Sequence, residues 1–184
     1  MPWGILFLGI LAVLICSRSY NLQKWPLKQT SALMLLLALL ILSYIDIPIA
    51  GIYINPGGIF LLLFCCWLGL ASPKISIWTW LIPAILIAAL LFLFNTGIIW
   101  QMEQYLPSWL PLATILAIII AAASGGYRQS LTAAGIGVEI YALLKLIIIK
   151  SSIGIADLNI FGQITGFSWI LLWIIKHFRR QAVD

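Results

Sequence analysis

Three ionisable side chains, Asp46, Glu139 and Lys145, fall inside stretches of sequence that are otherwise almost wholly apolar. An unpaired charge in hydrocarbon costs a few kcal/mol even on insertion scales, so such residues pair, stay protonated, or carry a proton or a cation. Glu139 is the strongest candidate. Thr132, Gly135, Glu139 and Ala142 recur at helical spacing and share one face, where a neighbouring helix can approach closely. An acid in that position is either the proton or cation site of a transporter or a neutral acid donating one interhelical hydrogen bond. Tyr141, Gln163, Thr165 and Ser168 are its candidate polar neighbours. Asp46 and Lys145 are expected at equal depth, both roughly 21 to 22 Å along their helices at ~1.5 Å per residue. Either they form an ion pair, or Lys145 snorkels outward and Asp46 rests at the interface beside Pro48.

The elements that must position these groups are helices in a bilayer. Of the 184 residues 64% are hydrophobic and only 8% are charged, more hydrocarbon than a soluble domain of this length can bury. Mean hydropathy is +1.14, in keeping with that solvent. Seven apolar segments approach the roughly 18 to 20 residues that span about 30 Å. They run from Pro2 to Ser17, Ser31 to Ile49, Gly57 to Ala71, Ile75 to Asn95, Leu110 to Ser124, Leu131 to Ile149 and Ile160 to Ile175. Apolar residues on every face argue against barrel strands. The expected fold is an all-α polytopic transmembrane helical bundle with a single integral membrane domain over residues 1–184. Counted from Leu131, Glu139 would lie roughly 12 Å deep, near the midplane.

Charge sets the threading. Arg18, Lys24, Lys28, Lys74, Arg128, Lys176, Arg179 and Arg180 fall on one side of a seven-crossing bundle, against Lys145 and Lys150 near the other. Basic residues in short loops stay cytoplasmic, so the N-terminus is expected outside and the C-terminus inside. The +5 net charge is thereby explained by topology, and nucleic acid is not an expected partner. Met1-Pro2-Trp3 has no basic n-region and no A-x-A site follows, so the first segment is expected to remain as a helix. Trp3, Trp100, Tyr105 and Trp109 are expected in an outer interfacial belt and Trp25, Trp78, Trp80 and Trp173 in an inner one.

Local punctuation supports this order. Asn55-Pro56-Gly57-Gly58 supplies an N-cap followed by Pro at the first helical position. Gly125-Gly126 ends the fifth helix, and Ser151 to Asn159 reads as a polar loop. On the seventh helix Gly162, Gly166, Trp169 and Trp173 share a face, a packing seam for this chain, a second copy or another membrane protein. Cys16, Cys65 and Cys66 read as small apolar residues.

Catalytic signatures are absent: no H-E-x-x-H, G-x-S-x-G or P-loop occurs, and the single histidine, His177, lies in the basic tail. The last helix has no central lysine for a retinal Schiff base, since Lys176 stands at its end. No catalytic residue, metal site or cofactor is expected. The sequence points first to a membrane scaffold or partner-binding subunit, and second to a small transporter or channel component using Glu139.

Three stretches, Tyr105-Leu-Pro-Ser-Trp109, Gly135-Ile-Gly-Val-Glu-Ile-Tyr-Ala142 and Ile153-Gly-Ile-Ala-Asp157 leading to Trp173, resemble the small polytopic YphA-type membrane proteins of Gram-positive, spore-forming bacteria. The resemblance covers roughly the C-terminal half. It implies a multi-pass protein of the bacterial cytoplasmic membrane without an established reaction, and it singles out Glu139 and Tyr141.

Overall fold

The computed structural model describes residues 29–49, 52–71, 76–96, 110–123, 126–149 and 155–181. Six α-helices dominate these residues: α1 (Gln29–Ser43), α2 (Pro56–Leu70), α3 (Trp78–Asn95), α4 (Leu110–Ala123), α5 (Tyr127–Leu144) and α6 (Ile155–Gln181). A π-helical stretch, Lys145–Ile149, continues α5. The first predicted segment, Pro2 to Ser17, lies outside the described residues, as do Cys16 and the outer-belt residues Trp3, Trp100, Tyr105 and Trp109.

The chain is mostly helical, as the apolar runs dictate, but among the described residues the helix lengths do not by themselves support seven crossings. Two helices, Trp78–Asn95 and the continuous Tyr127–Ile149, are long and apolar enough to cross a bilayer. Thr30–Leu42, Pro56–Leu70, Leu112–Ala123 and Asn159–Ile175 are shorter apolar helices. A span of 15 residues, such as Pro56–Leu70, covers only roughly 22 Å of a core about 30 Å thick.

Three boundaries also differ. The second segment, expected helical to Ile49, leaves the helix at Ser43, and β1 (Ile47–Ile49) pairs antiparallel with β2 (Ile52–Ile54), Pro48 facing Tyr53. Pro48 has no N–H to continue a helix and pushes Ile47 into extended conformation. The last helix begins earlier than Ile160, so Asp157, expected in a polar loop, lies in the first turn of α6. Likewise α5 starts at Tyr127, so Glu139 stands roughly 18 Å from its beginning and not near 12 Å.

The predicted start at Asn55-Pro56 holds. Asn55 is the extended N-cap, its side chain accepts from the Gly57 amide at 2.8 Å, and Pro56 opens α2.

Helix α5 forms the centre, packed against α2, α3 and α6, while α4 lies on α6 and α1 on α2. Every residue from Ser130 to Glu139 is buried, which an α-helix achieves only with neighbours on all sides. Two glycines admit those neighbours. A Cβ on Gly137 would stand 2.8 Å from the Ala84 carbonyl oxygen and from Ile87 Cβ of α3, and one on Gly135 would collide with Cys65 Sγ of α2. Ser130 and Ser168 share a hydroxyl hydrogen bond of 2.6 Å between α5 and α6. Trp169 Nε1 donates to the Tyr127 carbonyl at 3.2 Å, and the two rings meet edge to face.

The tryptophan and glycine expectations divide. Trp78 and Trp173 are exposed, as a belt requires, whereas Trp80 is buried between helices. Gly162, Gly166 and Trp169 are buried within the chain, so most of that seam is used internally and only Trp173 faces outward. The outward faces are strongly apolar: Leu63, Ile82, Ile85, Ile115, Ile118 and Ile170 are all exposed.

Candidate functional site: a buried acid beside an ion pair

The site assembles where α2 begins, α5 ends and α6 begins. Asn55 organises the first of these. Its Oδ1 caps the Gly57 amide, and its Nδ2 donates to Asp46 Oδ1 at 3.1 Å, fastening the hairpin to the helix start. Asp46 is exposed and lies in that hairpin corner.

Because Gly57 and Gly58 carry no side chains, the first turn of α2 is open to α5, and the Glu139 carboxyl occupies the space. A Cβ on Gly58 would lie 3.0 Å from Glu139 Oε2 and 3.2 Å from Oε1. The carboxyl therefore rests against the positive end of the α2 dipole. Glu139 is only 4% exposed. Among the described residues it makes no hydrogen bond, and none of Tyr141, Gln163, Thr165 or Ser168 reaches it.

Lys145 finds a partner that the sequence did not suggest. Its Nζ donates to Asp157 Oδ1 at 2.9 Å and to Oδ2 at 3.1 Å, and the two side chains are 12% and 3% exposed. The expected Asp46–Lys145 pair does not form, and Lys145 does not snorkel. Lys145 also lies 5.6 Å from the ring centroid of Tyr141, one helical turn earlier, a cation–π contact that gives Tyr141 its place. Lys145 opens the π-helical stretch, an irregularity that recurs at functional sites. The ion pair is within electrostatic reach of Glu139. Asp157 was legible in one respect: it follows Lys145 by twelve positions across a predicted turn, which brings the adjoining ends of consecutive helices together.

The arrangement has a simple charge balance. Lys145 and Asp157 neutralise each other, leaving Glu139 with no counter-ion of its own among the described residues. Among the described residues no three of His, Cys, Asp and Glu come together to hold a metal ion. Cys65 and Cys66 are free thiols, Cys65 buried beside Gly135.

Comparison of the chain with family models, curated proteins and solved structures gives no match. The site is therefore read from its own chemistry.

Proposed function

We propose that this is an integral protein of the bacterial cytoplasmic membrane, with about seven crossings, an outside N-terminus and a cytoplasmic C-terminus, acting as a small proton-linked transporter component in which Glu139 is the proton site. The membrane reading draws on the exposed leucines and isoleucines of α2, α3, α4 and α6 and on the one-sided placement of basic residues. The YphA-type resemblance points to the same compartment.

The observation that carries the role of Glu139 is its buried carboxyl, lodged against Gly58 without a hydrogen bond among the described residues. A neutral acid serving only to link helices would be bonded to a polar neighbour. A metal cation in its place would face the positive end of α2, and α2 offers it N–H groups where carbonyl oxygens are needed. A proton meets neither obstacle.

Infrared difference spectroscopy in lipid nanodiscs tests this reading. A carboxyl C=O band should appear and vanish with pH in the wild-type chain and be missing in Glu139→Gln, with both proteins equally folded. A band that never titrates returns the chain to the scaffold or partner-binding reading.

A further inference from the structure

Three contacts mark the seam between α2 and α5, which run antiparallel: Gly58 with Glu139, Cys65 with Gly135, and Gly69 with Thr132. At the Gly69 end two polar side chains converge. A Cβ on Gly69 would lie 3.0 Å from Trp80 Cε2, the ring carbon bonded to Nε1, and 3.1 Å from Thr132 Cγ2. Trp80 Nε1 and Thr132 Oγ1 are both buried and neither has a hydrogen-bond partner. A small polar molecule that accepts from an indole N–H and exchanges a bond with a hydroxyl would satisfy both groups, whose side chains meet over one glycine, and water is the simplest such molecule.

The position of this pair gives it a role. Thr132 and Glu139 are seven residues apart on the same face of α5, roughly 10 Å along the axis. The Gly69 end is also where Arg128 donates from Nε and Nη2 to the Leu68 carbonyl, so the guanidinium is held on the last turn of α2. Between the two ends Cys65 Sγ presses on Gly135, its thiol directed at the Leu131 carbonyl 3.9 Å away. The ionisable groups along the seam are thus Arg128 at one end, Cys65 in the middle, and Glu139 with Lys145 and Asp157 at the other.

We propose that Trp80 and Thr132 hold a bound water and form the inner mouth of a proton route that follows the α2–α5 seam past Cys65 to Glu139. The inference rests on the reading of Glu139 as a proton site. A hydronium ion in bulk water gives up its extra proton and becomes water; at each relaying water one O–H bond forms as another breaks, and the last O–H bond forms on the Glu139 carboxylate. No electron is transferred. Cys65 over Gly135 is the narrow point of the path.

Two measurements on the full chain in nanodiscs test it. In indole-labelled NMR spectra, with Trp80 assigned by Trp80→Phe, the Trp80 N–H should exchange magnetisation with water while Trp169, bonded to the Tyr127 carbonyl, does not. After a pH jump the Glu139 C=O band should rise on the order of tenfold more slowly in Thr132→Val, and in Trp80→Phe/Thr132→Val, than in wild type, with an unchanged end point. A Trp80 N–H as dry as that of Trp169, or an unchanged rate in Thr132→Val, overturns the route while leaving Glu139 as the proton site. A wild-type chain whose Glu139 band never titrates overturns both, whatever the hydration of Trp80.

Discussion

Lys145 Nζ lies 2.9 Å from Asp157 Oδ1, closing the end of α5 onto the first turn of α6. The pair is held with both side chains largely removed from solvent, so its two members cannot be lost independently. Truncating either member deprives a buried charge of this partner.

Lys145→Met should therefore destabilise the fold by about 3 to 5 kcal/mol, whereas Lys145→Met/Asp157→Leu should recover most of that loss. Reversible unfolding in mixed micelles measures both. A loss below about 1 kcal/mol in Lys145→Met would show that the pair contributes no more than exposed charges do.

Gly135→Ala should cost about 1 to 3 kcal/mol, because the added Cβ meets Cys65 Sγ. Cys65→Ala in the same chain should restore much of it. A double-mutant cycle on thermal unfolding reads the coupling directly, and additive effects would separate the two residues.

Gly58→Ala should change the acid more than the fold. The new methyl meets the Glu139 carboxyl, which is the end of a flexible side chain and can give way. Stability should stay within about 1 kcal/mol of wild type, while the Glu139 C=O stretch moves in frequency.

Asn55→Ala should lower stability by about 1 kcal/mol through loss of the N-cap. Asn55→Asp keeps the acceptor for the Gly57 amide but loses the donor to Asp46 and sets two carboxylates side by side. Its stability should fall between wild type and Asn55→Ala in the same unfolding measurement, and rise toward wild type with salt.

Much of the helical order was legible because long apolar runs and the Asn55-Pro56 start act locally, within a turn or two of chain. Glu139 was legible for the same reason: a carboxyl among Gly135, Val138 and Ala142 is conspicuous in one dimension. Its companions were not. Depth along a helix follows from counting, but the direction in which Lys145 points depends on how α5 is rotated and on the π-helical stretch it opens, and neither is written in hydropathy. The equal depth expected of Asp46 and Lys145 assumes a helix that in fact ends at Ser43, and each residue takes a different partner, Asn55 and Asp157. Trp80 shows a related limit, since an indole suited to an interface is equally suited to a crowded helix junction. The β1–β2 hairpin is not legible in hydropathy because its isoleucines continue the apolar run of α1, and only Pro48 marks the change.

The Asn55 side chain has one end on the Asp46 carboxylate and the other on the amide that starts α2. The turn it holds is the surface on which Glu139 rests. A pull on the Ile47–Ile54 ribbon thus reaches the floor beneath a buried acid along the backbone from Ile54 and through the Asn55 side chain together, making that residue a mechanical linkage between the rim of the molecule and its interior.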